Sequence, residues 1–211
     1  TFILPLYRPR LLADVYDCLV SKGAFIMDYR LSNRLVILCE EVGINRQTNN
    51  LSNGIASQKM SDVNTDASIN FLGVKGEYVT RRALNLGGIE KLTADKPDYR
   101  GDIELPSGEW VEVKTRRKPY YDFGIEGADI DRLFHADYGV LVWQMPMVNV
   151  FRIVGWCDKS QFIDGMVWMA HLPKPSWVLP WQQLQPFEIM QKRVNQQNQQ
   201  NQPIKSTVDR V

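Results

Sequence analysis

The sequence predicts a mixed α/β fold, and three observations point to it. A charged β-hairpin spans 101–115, an amphipathic helix spans 71–88 just before it, and two apolar strands, Tyr138–Trp143 and Val148–Val154, follow it. Strands and helices interleaved in this way build a central mixed sheet with helices packed on it. At 211 residues and 44% hydrophobic, the chain can bury one good core, and it is too short for two large domains.

The hairpin is the element with chemistry on it. Ile103 and Leu105 on one strand and Val111 and Val113 on the other alternate with period two about the corner Pro106-Ser107-Gly108. Glu112 and Lys114, two apart, therefore share the opposite face, and Asp102 opens the facing strand beside them. Two carboxylates suit a hard cation that keeps several waters and completes its shell with a substrate phosphate. A lysine beside such a cation can orient or deprotonate water, or neutralise charge on the reacting phosphate. The same alternation also describes an ordinary hairpin with one wet face.

The helix over 71–88 carries Val79, Ala83 and Leu86 on one stripe and is expected to stop at Gly87-Gly88. Gly76 costs helix stability, so a close approach to another element is expected there, bringing Glu77 near the hairpin. The simpler alternative is an exposed Glu77 paired with Arg81, four residues on.

The helical Gly76-Glu77, then Pro97-Asp98 and Gly101-Asp102, then Glu112-Val113-Lys114-Thr115, resembles the PD-(D/E)XK nuclease superfamily over roughly residues 71–160. The resemblance implies a restriction-endonuclease-like α/β/α core around a central mixed sheet. It also implies a metal-dependent DNA endonuclease that leaves 5′-phosphates. By the same resemblance Glu77, Asp102, Glu112 and Lys114 are the catalytic set; Asp102 and Glu112 bind Mg2+, with Mn2+ as a substitute, and Glu77 joins them as a supporting metal residue. Asp98 also follows a proline, but Asp102 is preferred because it directly opens the alternating strand, whereas Asp98 precedes a loop-like segment. A junction-resolving enzyme, a restriction or homing endonuclease and a recombination exonuclease are all compatible with the pattern. The first two imply a homodimer, since cutting two strands needs two sites. The alternatives are a nucleic-acid-binding module that has lost catalysis and a protein-interaction domain whose hairpin charges are only a wet face.

Arg116, Arg117 and Lys118, with Tyr120 next, form a basic and aromatic patch just after the Glu-x-Lys strand, suited to DNA phosphates and stacking. Beyond it, Tyr120–Ile125 is expected as a short strand, Ile130–His135 as a helical turn, and Met145-Pro146-Met147 as a hairpin connection. Whole-chain charge is neutral evidence: 25 Lys and Arg against 24 Asp and Glu give a formal +1.

Cys18, Cys39 and Cys157 form no Cys-x-x-Cys pair, and His135 and His171 are the only histidines. Disulfide frameworks, zinc sites, His-based nuclease sites and Ser-His-Asp triads are therefore disfavoured. No organic cofactor is indicated. No apolar run has the length of a membrane span, and the first residues lack a secretory-signal pattern, so a cytoplasmic setting is expected. The organisation reads as an N-terminal accessory helical segment over 1–45, a polar linker over 46–68 and the nuclease core over 69–190. The C-terminal part of the core is irregular and rich in Trp and Pro. A Gln/Asn-rich tail over 191–211 is expected to be disordered.

Overall fold

The computed structural model describes residues 28–52, 66–92, 100–119, 121–130 and 134–200. Along the chain come β1 (Asp28–Arg30), α1 (Asn33–Ser52), α2 (Asp66–Ala83), β2 (Ile103–Glu104), β3 (Trp110–Arg116), β4 (Phe123–Glu126), β5 (Tyr138–Gln144) and β6 (Val150–Asp158). They are followed by the short helix α3 (Lys159–Gly165), β7 (Val167–Met169), β8 (Ser176–Leu179) and α4 (Phe187–Gln200). Five strands form a mixed sheet in the order β1-β6-β5-β3-β2. Within it β3 and β5 run parallel, and the other neighbours are antiparallel.

The two apolar strands occupy the middle of this sheet because both their faces are covered. In β5, Val140 and Val142 pack on the helix side and Leu141 and Trp143 on the other, the near-continuous hydrophobic pattern that a doubly buried strand needs. The Met145-Pro146-Met147 corner is the expected hairpin connection: Met145 N–H donates to Val150 O (2.8 Å), and Asn149 takes the turn with φ 58°.

The layering differs from the expected α/β/α arrangement. Helices α1, α2 and α4 line one face through Cys39, Val74, Val79, Met190 and Val194. The other face is covered by α3 and a second, three-stranded antiparallel sheet, β4-β8-β7. The strand expected at 120–125 thus lies at 123–126 and belongs to this second sheet; Tyr120 is outside the described residues. The C-terminal part is accordingly ordered rather than irregular. Phe123, Phe134 and Phe162 meet edge to face beneath it, and Trp181 packs on Trp143 (5.4 Å between centroids).

Four boundaries shift. Residues 28–30 and 33–52 supply an edge strand of the main sheet and a helix packed on α2, so helix occupies the first part of the segment read as a linker over 46–68; Leu11–Val20 and residues 53–65 are outside the described residues. Helix α2 begins at 66 and ends at Ala83, before Gly87-Gly88. Its stop is Asn85, in the left-handed region at φ 57°, with Leu86 N–H donating to Arg81 O (3.0 Å), which satisfies carbonyls at the helix end. The Gln-rich segment is helical to Gln200, because Phe187, Met190 and Val194 place apolar groups on one buried stripe. No described helix is long and apolar enough to cross a membrane.

Candidate active site

The hairpin forms as its alternation requires. Ile103 faces Val111 and Glu104 faces Trp110, and Ile103, Leu105, Val111 and Val113 are all buried. The corner is a tight turn in which Gly108 N–H donates to Leu105 O (2.9 Å), with Gly108 at φ 85°, a conformation that glycine adopts without steric cost. Extending the register by one residue sets Asp102 opposite Glu112. Asp102 N–H donates to Val111 O (2.9 Å), and its own Oδ2 accepts from Val113 N–H (2.7 Å), a side chain standing where a strand carbonyl would otherwise be. On the partner strand Lys114 Nζ donates to Glu112 Oε1 at 2.5 Å, with the two side chains 31% and 23% exposed.

Glu77 lies on α2, near enough to the hairpin for its charge to act on Asp102. A Cβ at Gly76 would overlap Thr115 Oγ1, so only glycine lets the helix lie this close to β3. This is the close approach expected from the sequence, and it fixes the backbone of the next residue, Glu77. Glu77 itself is 3% exposed, and its main partner is Arg46 of α1 rather than Arg81. Arg46 Nη1 and Nη2 donate to Glu77 Oε1 and Oε2 at 2.6 and 2.7 Å. Arg81 instead donates to Leu86 O (2.6 Å), though it is near enough for Glu77 to act on its charge.

The electrostatics tie these groups together. Asp102 is held well above the usual carboxylate range, first by loss of solvent around the carboxyl, then by the charges of Glu112 and Glu77, against which Lys114 and the Val113 N–H work. The residue keeps an exposed flank, so the like charges are the firmer cause. For Lys114, burial works hardest against the charged amine, yet Glu112 and Asp102 together outweigh it and raise its pKa. Arg46 behaves alike: burial opposes its charge, while Glu77 and, more distantly, Asp102 raise its pKa.

The basic patch divides. Arg116 is committed to the fold, its Nε and Nη2 donating to Asp122 O (3.3 Å) and Gly124 O (3.2 Å), which joins the end of β3 to the start of β4. Arg117 is exposed and donates to Ser68 Oγ at the start of α2 (2.8 Å), and Lys118 is also exposed. Asp98 and Tyr120 lie outside the described residues, and His135 and His171 are exposed.

Arg46 is the residue that sequence reasoning missed, because it fell in the segment read as a linker. One signal was present: Cys39, Gly43 and Arg46 recur at helical spacing, and Cys39 and Gly43 are the buried stripe that α1 lays on α2.

The oxygen donors of Asp102 and Glu112 suit a hard cation. Among the described residues no three His, Cys, Asp or Glu side chains gather closely enough to form a ready cage; an ion bound here would keep much of its water and rely on substrate oxygens. Compared with family models, curated proteins and solved structures, the chain matches none, and the site stands on its own geometry.

Proposed function

We propose that the protein is a metal-dependent DNA endonuclease of the PD-(D/E)XK type, with a restriction-endonuclease-like core, hydrolysing phosphodiester bonds to leave 5′-phosphates. One observation carries the reading: Asp102, Glu112 and Lys114 meet at one end of a hairpin while the buried Glu77 acts on Asp102 from the adjoining helix. In this reading Asp102 and Glu112 hold a hydrated Mg2+, or Mn2+ in its place, which supplies polarisation of the phosphate and a water of lowered pKa.

The chain's own groups do the rest. Because its pKa is raised, Lys114 stays an ammonium at neutral pH. Its role is then to orient the attacking water and to neutralise charge building on the phosphate oxygens, not to accept a proton in the resting site. Asp102 and Glu112 position the reacting phosphate's cation, and Glu77 supports them from behind. Arg117 and Lys118 contact flanking phosphates, which position the strand without reading sequence. Cutting both strands calls for a homodimer with two such sites.

A second reading is a nucleic-acid-binding module without catalysis, for which the exposed Arg117 and Lys118 are equally suited. Cleavage of supercoiled plasmid and of a branched DNA separates the two, with Mg2+ or Mn2+ supporting the reaction and Ca2+ as the control. Lys114→Ala and Asp102→Asn are each expected to lower the rate by about 100-fold or more. DNA binding with no cutting by the native chain establishes the module; cutting that survives both substitutions removes this site from the reaction.

A further inference from the structure

We infer that Arg46 is a positioning residue of this site, acting through Glu77; the inference rests on the nuclease reading above. Glu77 is buried, and a buried carboxylate needs a partner that satisfies both its charge and its oxygens. Arg46 supplies this from a different helix, 31 residues earlier, with both guanidinium nitrogens on both carboxylate oxygens at 2.6 and 2.7 Å. That fork fixes the plane of the carboxylate as well as its place, which a lysine at the same position could not do.

Two constraints then meet on one side chain. Gly76 against Thr115 sets the distance between the α2 backbone and β3, and Arg46 sets the direction in which the Glu77 carboxylate faces. Glu77 is in turn close enough for its charge to act on Asp102. Each Glu77 oxygen already accepts from Arg46, which occupies half of the carboxylate's acceptor sites. Glu77 works as an outer partner that orients the acids and waters of the site, and such partners typically contribute about 10- to 100-fold to affinity or rate.

The test is steady-state nicking of supercoiled plasmid with Mg2+ by the full chain and by Arg46→Lys, Arg46→Ala, Glu77→Gln and the Arg46→Ala/Glu77→Gln pair, with thermal unfolding of each. Arg46→Ala is expected to lower kcat about 10- to 100-fold while KM for DNA and its salt dependence stay unchanged. Arg46→Lys should recover part of that loss, and the double variant should be no slower than Glu77→Gln alone. Arg46→Ala leaves a buried charge unpaired, so Arg46→Lys and the double variant keep the comparison open if that chain fails to fold. Three results overturn the inference alone: Arg46→Ala nicking at the native rate, losses that multiply in the double variant, or a change confined to KM and the salt slope, which marks direct phosphate contact. A native chain that does not nick at all overturns the nuclease reading, and this inference with it.

Discussion

Two arginine–carboxylate forks join different pairs of elements and serve different ends. Arg152 of β6 donates to Asp28 Oδ1 and Oδ2 at 2.6 and 2.8 Å, and the two residues face each other across the β1–β6 ladder. One acid meets one base there, and the product is a secured edge strand. Arg46 grips Glu77 with equal geometry, but the Glu77 charge also acts on Asp102, whose carboxyl is held well above the usual range by burial and by the charges of Glu112 and Glu77. The same pairing stabilises a strand where charges balance and tensions a site where carboxylates accumulate. Natural sequences tolerate such local conflict mainly where function requires it.

The contrast is broken most severely through activity. Lys114→Ala at the hairpin corner should cost about 100- to 1,000-fold in nicking rate, while Arg152→Ala stays within about twofold of native because β6 lies two strands from β3 in the sheet. Equal losses in a plasmid assay would show that the two forks are not distinct in kind.

Stability reverses the order. Arg152→Ala removes the partner of Asp28, which is 30% exposed on its side chain, and is expected to cost about 1–2 kcal/mol in urea unfolding.

Asp102→Asn should instead stabilise the metal-free chain near neutrality, and pH gives the sign. Folding raises the pKa of Asp102, so the folded state favours its protonated form. The stability this confers is complete below the ordinary Asp value and is lost as pH rises through that value towards the raised one. The variant has no such loss, so its advantage in Tm should grow across that window and vanish in acid. A gap that is constant with pH would remove the crowding from the account.

The smallest effect sharpens the division within the basic patch. Arg117→Ala and Lys118→Ala should each reduce the salt slope of DNA binding by about one. Arg116→Ala should leave the slope unchanged and lower stability, since its guanidinium holds two backbone carbonyls.

Much of the site was legible because it is local. Period-two alternation fixes which of residues 102–114 share a face, and Gly76 marked a close approach because no other residue fits against Thr115. Arg46 was not legible as a partner, since nothing within its own helix relates it to a residue 31 positions later. The helix end was misplaced for a related reason: Gly87-Gly88 offered the commoner stop, but Asn85 adopted the left-handed turn first.

By itself the sequence determined the mixed α/β class, the charged hairpin, the doubly buried strands and the grouping of Asp102, Glu112 and Lys114, all of which follow from periods of two or 3.6 along a short stretch of chain. Only the tertiary structure decided that residues 28–52 complete the main sheet and its helical layer, and that a second sheet covers its other face. It likewise decided that Arg46 rather than Arg81 holds Glu77, and that Arg116 serves the fold. These depend on which distant surfaces meet, and burial rather than local propensity sets that choice.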